Sequence, residues 1–179
     1  VDESSASKKI IFHPGMLPAK VICDPALTIG LPPKLTAAVG MDALSHSLEA
    51  YCAPANHPQA DGISIEAIRL ISVHLIDAVR NPNNIIARSA MMSASLMGAT
   101  AFQKGLGAMH SMAHVIGAKL DAHHGLINAI VMPYVLVHNR KAIGARITQL
   151  ARYLDLSEPS FTSFLDWVLA LRSSLDIPH

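Results

Sequence analysis

The chain has 179 residues, which is long enough for one hydrophobic core or for one domain with part of another. It is 51% hydrophobic and 15% charged, with a net charge of +1 and no basic run longer than Lys8–Lys9, which argues against a nucleic-acid-binding surface. No apolar run approaches the roughly 18 residues that cross a bilayer, no secretory signal is visible, and Cys23 and Cys52 form no redox or metal motif, so we expect reduced thiols in a cytoplasmic protein.

The first part of the chain, residues 1–31, carries two short runs of β-favouring residues. Ile10–His13 and Lys20–Cys23 are each followed by proline and turn residues, so both are predicted as strands. No further strand pattern follows that could complete a sheet around them. Because the chain starts with Val1 and stops just after a helical pattern, we expect it to be a fragment of a longer protein.

From Pro33 onward the apolar residues recur with the period of an α-helix. We predict seven helices in an all-α domain: Lys34–Ala53, Asp61–Arg80, Asn84–Gln103, Ala108–Leu120, Gly125–His138, Gly144–Leu154 and Ser160–Leu175. The third predicted helix has almost no charge in its second half and should lie in the core. The sixth and seventh are amphipathic and are expected at the surface.

Two polar residues stand out in the first predicted helix, in the run Gly-Met-Asp-Ala-Leu-Ser-His. Asp42 and His46 are four residues apart, so they share one helical face with their Cβ atoms about 6 Å apart. Burying an ionisable group without a partner is costly, and a carboxylate and an imidazole at this spacing can bind one divalent metal ion. The alternative is an Asp–His ion pair or a hydrogen-bonded core histidine.

The second candidate pair of ligands lies in a later apolar segment. His110 and His114 have the same spacing of four residues. His110 and His124 would lie about 21 Å apart on one continuous helix, too far to share an ion. They can meet only if the chain reverses between them, and the run from Asp121 to Gly125 is a plausible reversal with Gly125 as the helix breaker. The spacing therefore leaves both pairings open.

Other motifs are weak or missing. There is no GxSxG elbow, no Walker loop and no HExxH, and Gly105-Leu-Gly107 is a lone GxG that gives little evidence of phosphate binding. The remaining histidines in predicted loops, helix edges or chain ends are expected to have surface or capping roles: His13, His57, His74, His138 and His179.

Five segments together resemble the iron-containing (group III) alcohol dehydrogenase family. They are Asp24–Thr28, Leu31–Leu35, Gly40–Tyr51, Gly107–His114 and His124–Pro133. The Gly-Met-Asp-Ala-Leu-x-His block and the two-histidine segment are together highly specific. The resemblance runs from about Ile10 to the end of the chain.

The resemblance implies a fold and a domain organisation. Family members join an α/β dinucleotide-binding domain to a helical metal-binding domain. Residues 1–31 are accordingly expected to be the C-terminal remnant of the first domain, and residues 32–179 to be the all-α second domain, truncated at its C-terminus. The chain is thus expected to be mainly α, with about seven helices after a short stub of strands.

The resemblance also implies the site. The residues that match the family's metal ligands are Asp42, His46, His110 and His124. His114 matches a histidine near the nicotinamide and the substrate, and Leu27–Thr28 matches a segment that touches the nucleotide. The implied cofactors are Fe²⁺, with Zn²⁺ in some members, and NAD or NADP.

The implied activity is metal-assisted hydride transfer between a small primary alcohol or aldehyde and a nicotinamide. We expect a homo-oligomer with no nucleic-acid or membrane partner, and no turnover by this chain alone. The alternatives are a helical metal-dependent hydrolase and a non-catalytic metal-binding module.

Overall fold

The computed structural model describes residues 13–179, and within them it has six α-helices and no strand. The helices are α1 (Pro33–Cys52), α2 (Pro58–Arg80), α3 (Ile85–Ala101), α4 (Ala108–Leu120), α5 (His124–Tyr153) and α6 (Phe161–Ser174). Three short 3-10 helices cover Pro14–Met16, Pro25–Thr28 and Phe102–Lys104. The predicted helical fold class is confirmed.

The predicted fifth and sixth helices are in fact one helix, α5, and the count of seven was wrong for this reason. Pro133 lies inside α5, and Gly144 does not end it. A glycine inside a helix costs only about 1 kcal/mol relative to alanine. The burial of Ile147 and Leu150 just beyond it outweighs that cost.

The predicted strands are not part of the described fold. Ile10–Phe12 lies outside the described residues. Lys20–Cys23 is exposed and forms no strand, which corrects the prediction. A β-favouring sequence becomes a strand only where a second strand accepts its hydrogen bonds, and none does so within residues 13–179.

Helix α1 is the centre of the domain. It packs against α2, α3 and α5, while α4 and α6 pack on α5. Its apolar residues are therefore buried around most of its circumference, as Met41, Leu44 and Leu48 are. A helix surrounded in this way can keep polar side chains buried only where neighbouring helices satisfy them.

The α3 segment is the one stretch of the described residues that is long and apolar enough to cross a membrane. Ile85–Lys104 has a mean hydropathy of 1.2 over its most apolar window. The helix packs against α1 and α2, but only 28% of that window is buried, and Ser95, Leu96 and Thr100 in the second half of α3 are exposed. The expectation that this helix lies in the core was therefore wrong, because one of its faces has no neighbouring helix within the described residues.

Candidate metal centre

The predicted site residues lie on three helices. Asp42 and His46 are on α1, His110 and His114 are on α4, and His124 is the first residue of α5. The chain reverses direction between α4 and α5, which is the condition for His124 to lie close to His110. Asp121 makes the reversal possible, because it ends α4 in the left-handed conformation with φ of 49°.

Gly125 was predicted to be the helix breaker, and this was wrong. It lies in the first turn of α5, which His123 caps by accepting a hydrogen bond from the Leu126 amide. A Cβ at position 125 would collide with the carbonyl oxygen of Ala38 and come within 3.0 Å of Asp42 Cβ. Glycine here lets α5 approach α1 closely enough for His124 to reach Asp42.

Three of the predicted ligands come together. Asp42 Oδ1 lies 3.8 Å from His110 Nε2 and 3.7 Å from His124 Nε2, and one ligand atom from each residue lies within 4.8 Å of the other two. Ligand atoms about 2.1 Å from a tetrahedral ion are about 3.4 Å apart. The two distances from Asp42 Oδ1 are close to that value.

The donor chemistry also fits a divalent metal. The set comprises one carboxylate oxygen and two imidazole nitrogens, which suit iron or zinc. His110 Nε2 is buried and has no hydrogen-bond partner in the protein. Buried polar atoms are nearly always partnered, so this nitrogen, which faces a carboxylate, fits a metal ligand.

His46 is adjacent to this group but not a member of it. Its ring stacks on the His110 ring with centroids 4.5 Å apart, and it also lies 5.5 Å from the Phe102 ring. Burial lowers the pKa of His46 below its usual value, although nearby Asp42 opposes the shift. The neutral form, which can bind a metal, is thereby favoured.

His114 lies beside the three-residue group. Its ring meets the His124 ring edge-on at 5.1 Å and is 6.5 Å from the His110 ring. Both histidines that the spacing allowed as partners of His110 are therefore close to it. His124 supplies an atom to the ligand group, and His114 stands next to it.

Two residues that the sequence did not single out complete the surroundings. The Asn128 amide donates to Asp42 Oδ1 at 2.7 Å and lies 3.2 Å from His124 Nε2. Asn128 is four residues after His124, so the spacing rule used for the histidines could have found it.

The second such residue is Glu49, which contacts the far side of His110. Its Oε2 is 2.7 Å from His110 Nδ1, and its Oε1 accepts a 2.7 Å hydrogen bond from the Met109 amide. Burial by itself would raise the pKa of Glu49. The hydrogen bonds from His110 and from the Gly107 and Met109 backbone outweigh it and lower the pKa, so the carboxylate is ionised.

Leu27 and Thr28 are not members of the ligand group. They lie in the 3-10 helix Pro25–Thr28, where Leu27 is exposed and the Thr28 hydroxyl donates to the Pro25 carbonyl oxygen. Thr28 lines a cavity of about 400 Å³ between this 3-10 helix, α1 and α3. The cavity wall includes Ala43, the residue after Asp42.

The family described as Fe-containing alcohol dehydrogenase, C-terminal, matches residues 36–179, which is most of the chain. The chain belongs to the iron-containing alcohol dehydrogenase family. The match begins inside α1 and includes Asp42 and every histidine near it.

Individual members of the family are also similar. A 4-hydroxybutyrate dehydrogenase of Cupriavidus necator is 48% identical over 141 residues, covering 75% of this chain and 37% of that protein. An iron-containing alcohol dehydrogenase structure from Thermococcus thioreducens has a TM-score of 0.87 at 30% identity, covering 94% of this chain and 44% of that one. The structure of a sulfoacetaldehyde reductase from Bifidobacterium kashiwanohense in complex with NAD⁺ has a TM-score of 0.80 at 27% identity, covering 87% of this chain and 41% of that one. The chain spans less than half the length of each of these proteins.

Proposed function

We propose that this chain provides the metal-binding half of an NAD(P)-dependent alcohol dehydrogenase that transfers a hydride between a small primary alcohol or aldehyde and the nicotinamide. The observation that carries the proposal is the group formed by Asp42, His110 and His124 at the meeting point of three helices. Membership of the family supports the reaction class, and the NAD⁺ complex of a related reductase supports the cofactor.

His46 stacks on His110 and lies outside the three-residue group, but its match to the family's ligands adds it to the proposed set. The proposed ligands of the metal are therefore Asp42, His46, His110 and His124. The first supplies a carboxylate oxygen and the others supply imidazole nitrogens, a set that suits Fe²⁺ and also accepts Zn²⁺. A bound ion of this kind acts as a Lewis acid on the substrate oxygen. The chain's own contribution is to hold the donor atoms close together and to keep them partly shielded from water.

His114 is proposed to move the proton of the alcohol. Its ring is 5.1 Å from the His124 ring, and an imidazole changes charge near neutral pH. Leu27 and Thr28 are proposed to contact the nucleotide, and residues 1–31 to belong to the nucleotide-binding domain. The whole enzyme is proposed to be a cytoplasmic homo-oligomer.

A comparison of His124→Ala with His114→Ala in the full-length protein tests these assignments. Loss of a ligand should lower metal content, measured by inductively coupled plasma mass spectrometry, at least tenfold in His124→Ala. His114→Ala should keep most of its metal and lose turnover, by about 10²–10⁴-fold if it acts as a general base. The reverse pattern of metal contents would overturn the ligand assignment.

The reaction itself is tested by the absorbance of the reduced nicotinamide. The full-length protein loaded with Fe²⁺ or Zn²⁺ should reduce NAD⁺ or NADP⁺ in the presence of a small primary alcohol. Hydrolysis of an ester or amide by the loaded protein, with no reduction of either nicotinamide by any alcohol, would contradict the proposal.

A further inference from the structure

Glu49 contacts two parts of α4 at once. It is 6% exposed, and its carboxylate reaches from the last turns of α1 to the first turn of α4. One oxygen is 2.7 Å from His110 Nδ1, and the other accepts a hydrogen bond from the Met109 amide at 2.7 Å. Both bonds are short, as expected when the acceptor is charged.

The contact with His110 decides which ring nitrogen carries the proton. Both oxygens of Glu49 lie 2.7 Å from a nitrogen, and a carboxylate in its ordinary charged form only accepts hydrogen bonds, so this geometry makes His110 Nδ1 the donor. In the neutral ring this leaves the lone pair on Nε2, the buried atom that faces Asp42 without a hydrogen-bond partner. The proton position that Glu49 enforces is the one that a metal ligand requires.

The contact with Met109 fixes the position of the helix that carries His110. Gly107 is the N-cap of α4, and it has no side chain to bond the amides of the first turn. Glu49 supplies that cap from another helix, and its negative charge is favourable at a helix N-terminus. The backbone and the ring of the same segment are therefore held by one carboxylate.

Gly107 makes this arrangement sterically possible. A Cβ at position 107 would lie 2.8 Å from Glu49 Oε1 and 3.3 Å from its Cδ. Any larger residue would push the carboxylate away from the Met109 amide. The lone Gly105-Leu-Gly107 pattern in the sequence thus has a structural explanation at its second glycine.

We propose that Glu49 is a positioning residue that sets the proton position and the orientation of His110 for metal binding. Gly107, which has no Cβ, leaves the space that the Glu49 carboxylate occupies. The inference rests on the proposed metal site. Glu49 would not touch a metal bound by Asp42 and His110, because it contacts the opposite nitrogen of the His110 ring.

Glu49→Gln tests the proposal with almost no change of volume. If the amide oxygen keeps the Met109 hydrogen bond, the amide nitrogen faces His110 Nδ1 and drives the ring proton to Nε2. If the amide is reversed, the Met109 amide loses its acceptor. We expect Zn²⁺ to bind about 10–100-fold more weakly, measured by competition with a chromophoric chelator on the full-length protein.

Gly107→Ala tests the same contact without changing Glu49, because the new methyl group would displace the Glu49 carboxylate from the Met109 amide. Zn²⁺ affinity should fall in the same direction, and the visible absorption bands of the Co²⁺-substituted protein should shift in both variants. Glu66→Gln is the matched control, because its carboxylate is exposed and pairs with Arg69 in the same helix. The control should leave both the affinity and the Co²⁺ spectrum unchanged.

The outcomes separate this inference from the proposed function. Weaker Zn²⁺ binding in His124→Ala together with unchanged binding in Glu49→Gln and Gly107→Ala would overturn the role of Glu49 alone. Unchanged binding in His124→Ala would overturn the metal site itself. If Glu49→Gln only lowers the melting temperature while its Zn²⁺ affinity and Co²⁺ spectrum match the parent, Glu49 is a structural residue and the proposal is wrong.

Discussion

Single residues in the centre owe their roles to contacts across helices. Asp42 Oδ1 accepts a hydrogen bond from the Asn128 amide and faces the Nε2 atoms of two histidines. One of these histidines, His110, contacts Glu49 through its other ring nitrogen, Nδ1. Local spacing could predict that Asp42 and His46 share a face, because that depends on one helix only. It could not predict Glu49, whose partner is 61 residues away in sequence.

The two cysteines should differ in reactivity, because the tertiary fold buries one of them and leaves the other exposed. Cys23 is exposed, whereas burial raises the pKa of the Cys52 thiol to about 12. Because the thiolate is the reactive species, a maleimide reagent at neutral pH should label one thiol in the folded protein and two in denaturant, counted by mass spectrometry. Cys23→Ser should abolish labelling of the folded protein. Rapid labelling of Cys52 in that variant would contradict the burial of its thiol.

At the level of elements, the contact between α1 and α5 has to be close for the site to form. Alternation of helices and breakers predicted most helix ends within a few residues, and it predicted Ala108–Leu120 as observed. It could not predict that α5 continues through Gly144. Whether a helix stops at a weak breaker depends on what the following residues bury, and that is a tertiary property.

Gly125→Ala tests this close contact, since the new methyl group would meet the Ala38 carbonyl and could be accommodated only by moving α5. We expect a loss of about 1–3 kcal/mol in the free energy of unfolding, measured by urea denaturation, together with weaker Zn²⁺ binding. Gly144→Ala in the same helix is the control, because nothing lies within 4 Å of the new Cβ. It should stabilise the protein by about 0.5–1 kcal/mol. Equal stability of the two variants would refute the steric argument.

On the scale of the whole molecule, a charge network around the buried Lys104 connects three helices and a 3-10 helix. Lys104, whose side chain is 0% exposed, donates to Asp61 Oδ1 at 2.5 Å and to the Tyr51 carbonyl at 3.2 Å. Arg146 on α5 contacts the other Asp61 oxygen at 2.9 Å and lies over the Tyr51 ring. A buried lysine requires such partners, and Asp61 is the common one.

Asp61 should make the free energy of unfolding decrease at acidic pH. Burial by itself would raise the pKa of Asp61, but hydrogen bonds from Lys104 and Arg146 outweigh it and lower the pKa below the usual 3.8. A lowered carboxyl pKa stabilises the folded state above the unfolded value, and the contribution is lost as the pH falls through the folded value. The parent protein should therefore lose stability below about pH 4.

Asp61→Asn measures that contribution directly. At neutral pH it should lose about 2–4 kcal/mol in the free energy of unfolding, because Lys104 keeps only neutral partners. The difference from the parent should shrink as the pH is lowered in urea titrations. Glu66→Gln, which removes an exposed ion pair, should cost at most about 1 kcal/mol. A difference for Asp61→Asn that does not change with pH would contradict the lowered pKa.

The sequence by itself determined the helical class, most helix boundaries and the family, and it predicted the residues of a metal site. Helix periodicity and spacings of four residues are local properties, and the family was inferred from the motifs of five segments. The family resemblance implied His124 as a ligand, while the spacings left His114 equally open. Only the tertiary structure showed that His124 lies against Asp42 and His110, with His46 and His114 beside them, and that Glu49 and Asn128 contact the group. These outcomes depend on how closely α1, α4 and α5 approach. That distance is set by packing at residues such as Gly125 and Gly107, whose importance no local pattern reveals.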